Sequence, residues 1–400
     1  MYRVIRGTDC YWAVGTRRVA RLPLDGVFEN GRLTGDARGA LENAQLSPPA
    51  DTGTYHMTVL ITTRCNLACA YCFQNAELPS AGPGQVPGTV PVRIAGENID
   101  DDRIADILAF AGRQMERHGA DKLGLMLFGG EPTLHLDLCL KLLEGAAKLG
   151  PVTASMISNG TLFTVGRMKA LQDAGLRSVQ VTFDGDVAAH DRSRITVAGR
   201  GTFARIVDNL AAVSRDTSID WQLRVNLTGD SLPGADALVD RLAGRLDTSK
   251  FALAFAPVHD PGTGFADTVE RSVELAERVG RLYGRALHAG FRIPLPRQHV
   301  CETCGEVGGR TGSVVNSDGT LYSCWESAGK PGYEVGTVDG GYFADDDLVA
   351  SRWVACGYPA ENRIPEQVAQ RYADTVDGMV LDRMYTAGLL GGTAAAPGAA

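Results

Sequence analysis

The chain has 400 residues, with 39 Lys and Arg against 47 Asp and Glu, a formal net charge of -8 at pH 7. That balance sets aside nucleic acid as the main partner, since phosphate binding needs a basic face, and leaves small molecules and peptides. Hydrophobic residues make up 44% and charged residues 22%, a globular composition, and no apolar run approaches the roughly 20 residues of a membrane helix. The first residues, Met1 to Arg6, lack the apolar core of a signal peptide, so the chain reads as cytoplasmic, with no membrane partner. The length suits a barrel with appendages.

Residues 1–56 begin with short strand-like runs, Tyr2 to Ile5, Cys10 to Val14 and Arg18 to Leu22, separated by Gly7-Thr8-Asp9 and Gly15-Thr16. They predict a small β-rich appendage, followed by a helix over Asp36 to Leu46. Then strands and helices alternate. Strands are expected at Met57 to Thr62, Lys122 to Phe128, Val152 to Ser158, Ser178 to Phe183, Gln222 to Leu227 and Phe251 to Pro257. Helices are expected at Asp101 to His118, Leu136 to Leu149, Val165 to Ala174, Gly201 to Ser214, Ala235 to Leu246 and Asp267 to Ala289. A Pro- and Gly-rich stretch over residues 74–100 reads as a lid or binding loop. Six strand–helix units argue for a parallel sheet covered by helices, a partial (β/α)6 TIM-like barrel over 57–290. A cysteine- and turn-rich segment follows over 291–360. Pro365 to Ala387 reads as a helix, and Gly388 to Ala400 as a loose, low-complexity tail.

The nine cysteines concentrate in two groups, and in a reducing cytoplasm clustered cysteines favour metal over disulfides. Cys139, inside an apolar helical run, reads as a buried small hydrophobe, and Cys10 stands alone. Cys65, Cys69 and Cys72 share one loop after the first barrel strand. Three thiolates there leave one corner of a four-iron cluster without a local protein ligand. The same residues also suit a zinc site completed by a distant His or Cys. In barrels of this kind the chemistry sits at the C-terminal strand ends, and further short motifs fall there. Phe128-Gly129-Gly130-Glu131-Pro132 follows the second strand, Ser158-Asn159-Gly160-Thr161 the third, and Thr182-Phe183-Asp184-Gly185 the fourth, with His190 to Arg194 beyond. Each alone is an ordinary turn.

In this order the motifs resemble the radical SAM enzymes of the SPASM/Twitch branch, over roughly residues 57–357. The resemblance implies that Cys65, Cys69 and Cys72 hold a [4Fe–4S] cluster whose open iron binds S-adenosylmethionine. It implies that Tyr71 packs near the adenine, and that Gly129, Gly130 and Glu131 meet the methionyl amine. Ser158, Asn159 and Thr182 would lie beside the cofactor. Arg194 would pair with the methionyl carboxylate, with Arg192 as its competitor, and Arg224 and Asn226 would line the pocket. The chemistry implied is reductive cleavage of S-adenosylmethionine to a 5′-deoxyadenosyl radical and hydrogen abstraction from a substrate, with electrons from an external one-electron reductant.

Cys301 and Cys304 precede two short strands around Ser317-Asp318-Gly319, a β-hairpin pattern. Cys324 ends the second strand, and Cys356 follows. Ligand type alone does not separate zinc from Fe–S here. The resemblance implies one auxiliary [4Fe–4S] cluster held by Cys301, Cys304, Cys324 and Cys356, in a Twitch-like or truncated SPASM domain without a second auxiliary cluster. An auxiliary cluster favours net oxidation. The reading is therefore a maturase that installs an oxidative crosslink in a ribosomally made peptide, with the N-terminal appendage either holding a leader peptide by strand addition or serving as a stabilising cap. The alternatives are a sulfatase-maturing Cys or Ser dehydrogenase and a non-catalytic metal-binding scaffold. Asp184, Glu326, His259 and Tyr322 stand unranked as the general base.

Overall fold

The computed structural model describes residues 2–46, 53–77, 92–260, 265–297, 301–354, 365–390 and 393–395. Strands β1 (Arg3–Arg6), β2 (Tyr11–Val14) and β3 (Arg18–Leu22) pair antiparallel in that order. Alternation gives this sheet two apolar faces. Ala13, Ala20 and Leu22 pack with Leu41 of helix α1 (Gly35–Asn43), while Ile5, Trp12, Val14 and Val19 join the main core. Cys10 is buried on that second side.

Six parallel strands follow: β4 (Thr54–Thr62), β5 (Lys122–Gly129), β6 (Val152–Ser158), β7 (Leu176–Phe183), β8 (Asp220–Leu227) and β9 (Phe251–Pro257). They are neighbours in chain order, as helical crossovers between adjacent strands require. The crossovers are α2 (Asp101–His118), α3 (Leu136–Ala146), α4 (Val165–Asp173), the short α5 (Val187–Ser193) with α6 (Phe203–Asp216), and α7 (Ala235–Ala243). Helix α8 (Val273–His288) follows β9. The chain thus forms the expected partial barrel. Val59, Ile61, Leu125, Leu127, Val179 and Val181 face the helices in one continuous core. The helix read from Asp267 starts at Val273, because the Ser272 hydroxyl caps it by accepting from the Leu275 N–H at 3.2 Å. Helix α3 carries Cys139, fully buried as read, its thiol donating to the Pro132 carbonyl at 3.3 Å.

The opposite face of β4, β5 and β6 is also apolar. Leu60, Phe128, Met126 and Ile157 meet Val314, Tyr322, Trp325, Ala328 and Phe73 in a second cluster. That cover comes from the C-terminal segment. Strand β10 (Gly312–Val315) pairs parallel with β4, on the side away from β5, and β11 (Thr320–Tyr322) turns back from it. Two further short strands, β12 (Gly336–Thr337) and β13 (Gly341–Tyr342), complete a ten-stranded sheet, with α9 (Asp346–Arg352) after them. The cysteine-rich segment therefore extends the barrel sheet.

Helix α10 (Glu366–Thr386) packs along α8 and receives the N-terminal sheet. Arg3 pairs with both Asp374 and Asp377. Asp382 accepts from the Thr8 N–H, the Thr8 hydroxyl and the Trp12 indole, each at 2.7 Å. Part of the tail read as loose is ordered: β14 (Thr393–Ala395) pairs antiparallel with β3.

Candidate functional site

The loop after β4 is fixed from three sides. The Ala68 N–H donates to the Ile195 carbonyl at 2.9 Å and the Val197 N–H to the Asn66 carbonyl at 3.1 Å, so residues 66–68 lie along the stretch after α5. Asn75 closes the far end, its amide donating to the carbonyls of Cys69 and Ala70 at 3.3 and 2.9 Å. Asn159, past β6, donates to the Asn66 side chain at 2.8 Å and to the Cys65 sulfur at 3.8 Å. The Leu67 N–H also points at that sulfur, at 3.4 Å. Donors on sulfur favour a thiolate. Cys69 is buried, which pushes its thiol up to about 12, while Arg194 works the other way.

The loop after β5 is joined to the same structure. Gly130 N–H donates to the Thr62 carbonyl at 2.7 Å and Glu131 N–H to the Arg64 carbonyl at 3.0 Å. Only glycine permits this approach. A Cβ at Gly129 would lie 2.1 Å from the Thr62 carbonyl oxygen, and its φ is +128°; a Cβ at Gly130 would lie 2.1 Å from the Arg64 carbonyl oxygen. Glu131 is fully buried. Its Oε1 accepts from the Thr133 N–H at 3.0 Å, the Thr133 hydroxyl at 2.5 Å and the Ser158 hydroxyl at 2.8 Å, and its Oε2 from the Asn159 N–H at 2.7 Å. Burial pushes this carboxyl up, and those hydrogen bonds oppose it. Here Glu131 ties the loop after β5 to the loop after β6. A carboxylate has about four lone-pair sites, and Oε2 uses one of its two.

Arg194 is 8% exposed, donates from NH1 to the Tyr71 hydroxyl, and leaves its buried Nε without a partner. Burial works against its charge, but Tyr71, Cys69 and Asp184 outweigh that and hold the guanidinium protonated. Tyr71 donates in turn to Asp184 at 3.1 Å, and Ser193 donates to the other Asp184 oxygen at 2.6 Å. The Asp184 N–H donates to Nδ1 of the buried His190, which fixes the tautomer: Nε2–H then donates to Thr202 at 3.1 Å. Arg192 is exposed and pairs with Asp230 at 3.3 Å. Of the two candidate arginines, Arg194 reaches the cysteine loop. Thr182 is buried on β7, in register with Arg224 on β8. Arg224 donates from Nε to Asn226 at 2.9 Å.

The second cysteine group lies on the C-terminal segment that covers the apolar face of β4, β5 and β6. Cys304 and Cys324 are buried and Cys301 partly so. Lys330 lies within electrostatic reach of both Cys72 and Cys324, and Glu326 of Cys301 and Arg224. The Trp353 indole donates to the Cys304 carbonyl at 3.1 Å, and Val354 N–H to the Ser323 hydroxyl at 2.9 Å. These bonds bring the chain back to the hairpin just before Cys356, which lies outside the described residues, as do residues 78–91 of the Pro- and Gly-rich stretch. The sequence placed His190 and Ser193 in a motif without giving them a role, and it did not single out Asn66, Thr202 or Lys330. Trp325 and Phe73, each directly after a cysteine, carried a signal that was passed over.

Among the described residues no group of three or more His, Cys, Asp or Glu is arranged to hold a single metal ion. Yet Cys65 and Cys72 both act electrostatically on Cys69. The donor set therefore fits a cluster that spans the loop: three thiols, two donors on one sulfur, and an unpaired buried guanidinium nitrogen beside them. Residues 59–220 match the Radical SAM superfamily. They form a radical SAM domain. The chain is thus an enzyme of a class that uses a [4Fe–4S] cluster and S-adenosylmethionine. A "Probable GTP 3′,8-cyclase" of Methanocella arvoryzae is 29% identical over 265 residues, covering 63% of this chain and 76% of that relative. The "PqqA peptide cyclase" of Rhodopseudomonas palustris is 32% identical over 181 residues, and the chain spans 40% of its length. Among solved structures, "Native anSMEcpe with bound AdoMet" matches 84% of this chain and 100% of that one, with a TM-score of 0.62 and 16% identity. No helix among the described residues is long and apolar enough to cross a membrane.

Proposed function

We propose that this radical SAM enzyme matures a ribosomally made peptide by an oxidative crosslink. The observation that supports the reading is geometric: Phe73, next to Cys72, and Trp325, next to Cys324, both pack on Phe128. An electron acceptor held by the second group suits a reaction that ends in net oxidation of the substrate. The relative named as a peptide cyclase supports a peptide as the substrate. The N-terminal antiparallel sheet offers a place for a leader peptide.

Cys65, Cys69 and Cys72 would hold one [4Fe–4S] cluster, and Cys301, Cys304, Cys324 and Cys356 an auxiliary one. With S-adenosylmethionine bound, the first cluster supplies a 5′-deoxyadenosyl radical. The protein's part is binding and orientation. The unpaired Nε of Arg194 suits the methionyl carboxylate. The spare capacity at Glu131 Oε2 suits the methionyl ammonium. Gly129 and Gly130 bring both loops together, and Ser158 and Asn159 hold Glu131 and the Cys65 sulfur. Tyr71 and Thr182 flank the cofactor. Asp184 and the buried Tyr322 are poor bases, because Asp184 is occupied by Tyr71 and Ser193, and Tyr322 is pushed up by burial.

The test is the mass of a short peptide encoded beside the gene, after anaerobic incubation with enzyme, S-adenosylmethionine and a reductant. A loss of two hydrogens, absent with a Cys69→Ala variant, is expected. About eight irons per chain are expected, against about twelve for an enzyme with two auxiliary clusters. The match to the GTP cyclase favours a second reading, cyclisation of a nucleotide. Turnover of GTP with an unchanged peptide mass would replace the first reading with this one.

A further inference from the structure

Three aromatic rings join the two cysteine groups. Phe73 follows Cys72 directly. Its ring stacks on Phe128 of β5, with centroids 5.9 Å apart and planes within 1°. Phe128 meets Trp325 with centroids again 5.9 Å apart, at 41°, and Trp325 follows Cys324 directly. Both contacts lie within the usual range for packed aromatic pairs. Phe128 is buried in the apolar cluster between the barrel face and the C-terminal segment, and the half-buried Phe73 and Trp325 pack against that cluster.

We propose that Phe73, Phe128 and Trp325 form the path by which one electron passes between the two cysteine groups. The inference rests on the reading that both groups hold [4Fe–4S] clusters. Along this path no bond forms or breaks. After hydrogen-atom abstraction the substrate radical loses one electron and one proton as the new bond closes. The proton leaves to solvent, and the electron reduces the oxidised auxiliary cluster by one unit. The path then carries that electron to the oxidised first cluster, which is restored for another cleavage without a new external electron. Trp325 and Phe128 are positioning residues here, acting through the groups at their two ends.

The test reads electron movement, which plain packing does not change. The full chain is loaded anaerobically with iron and sulfide, fully reduced, and freed of reductant. It is then mixed with S-adenosylmethionine without peptide and frozen at intervals. The paramagnetic signal of the auxiliary cluster is followed alongside 5′-deoxyadenosine. In the wild type the auxiliary signal decays after the first cleavage, as its electron refills the first cluster. With Trp325→Leu the decay slows by about tenfold or more, while Trp325→Phe, which keeps a ring, stays within about threefold of wild type. Equal iron content and equal auxiliary potential in the three proteins exclude a merely structural effect. Decay as fast in Trp325→Leu as in wild type overturns the path alone. About four irons per chain with 5′-deoxyadenosine still formed overturns the path and the auxiliary cluster but leaves the radical SAM activity. No 5′-deoxyadenosine from the wild type overturns the functional reading and the path together.

Discussion

Arg194 brings a full charge to a site that is 8% exposed, and one of its nitrogens has no partner. A hydrogen bond to a charged group is worth about 1.5–3 kcal/mol. Arg194→Gln should therefore weaken S-adenosylmethionine binding by about tenfold or more, read by equilibrium dialysis on the iron-loaded protein. Unchanged affinity would move the carboxylate contact elsewhere, with Arg224 next in line. Behind Arg194, His190 is held neutral. Burial pushes its pKa well below the ordinary value, and Arg194 adds to this. The unfolded chain therefore takes up a proton that the folded chain refuses. The stability tied to His190 is complete above about pH 6.5 and is lost as pH falls below it. The thermal midpoint should drop between pH 7 and pH 5, and it should drop less in His190→Gln. Identical slopes for the two proteins would mean that another buried group carries the effect.

At the scale of elements, the two glycines after β5 decide where the cysteine loop begins. A methyl at Gly130 would meet a carbonyl oxygen of the loop's own backbone at 2.1 Å. Gly130→Ala should cost about 1–3 kcal/mol and, because the displaced backbone leads into Cys65, should also lower iron loading. Denaturant midpoints and iron content measure the two effects separately. The strand positions were legible in the sequence because buried apolar residues recur along them, almost continuously in β4 and at alternate positions in β6 and β8. Val152 to Ser158 and Phe251 to Pro257 match to the residue. The start of β4 at Thr54 was missed, since His56 and Thr54 break the apolar run without ending the pairing with β5. The seven-residue α5 was missed because it is too short to show a period, although Asp186 caps it. In the site, motif order picked out Arg194 and the cysteines. It did not reveal that Glu131 is surrounded by four internal donors, because a contact between two separate strand ends leaves no mark on local spacing.

Across the whole molecule, the N-terminal sheet is held to α10 by few but specific contacts. Asp382 accepts from three donors, two on Thr8 in the turn after β1 and one on Trp12 of β2. Asp382→Ala leaves the Trp12 indole without an acceptor and should destabilise the sheet's docking by about 1–3 kcal/mol. Faster hydrogen exchange over Arg3 to Leu22, with the barrel strands unchanged, would confirm that the sheet opens as a unit. Loss of protection throughout would show instead that the sheet and barrel melt together. The parallel pairing of β10 with β4 has a consequence for biosynthesis. Gly312 lies opposite His56, so most of the chain must leave the ribosome before β4 gains its outer neighbour. Until then the strand that leads into the first cysteine loop presents a bare edge, open to pairing with other chains. Closing that edge is slow, because it requires one of the longest loops the chain can form. Premature termination anywhere between β9 and β10 would release a product with its barrel strands in place and a sticky margin beside unliganded thiols, a species for chaperones and proteases rather than for iron.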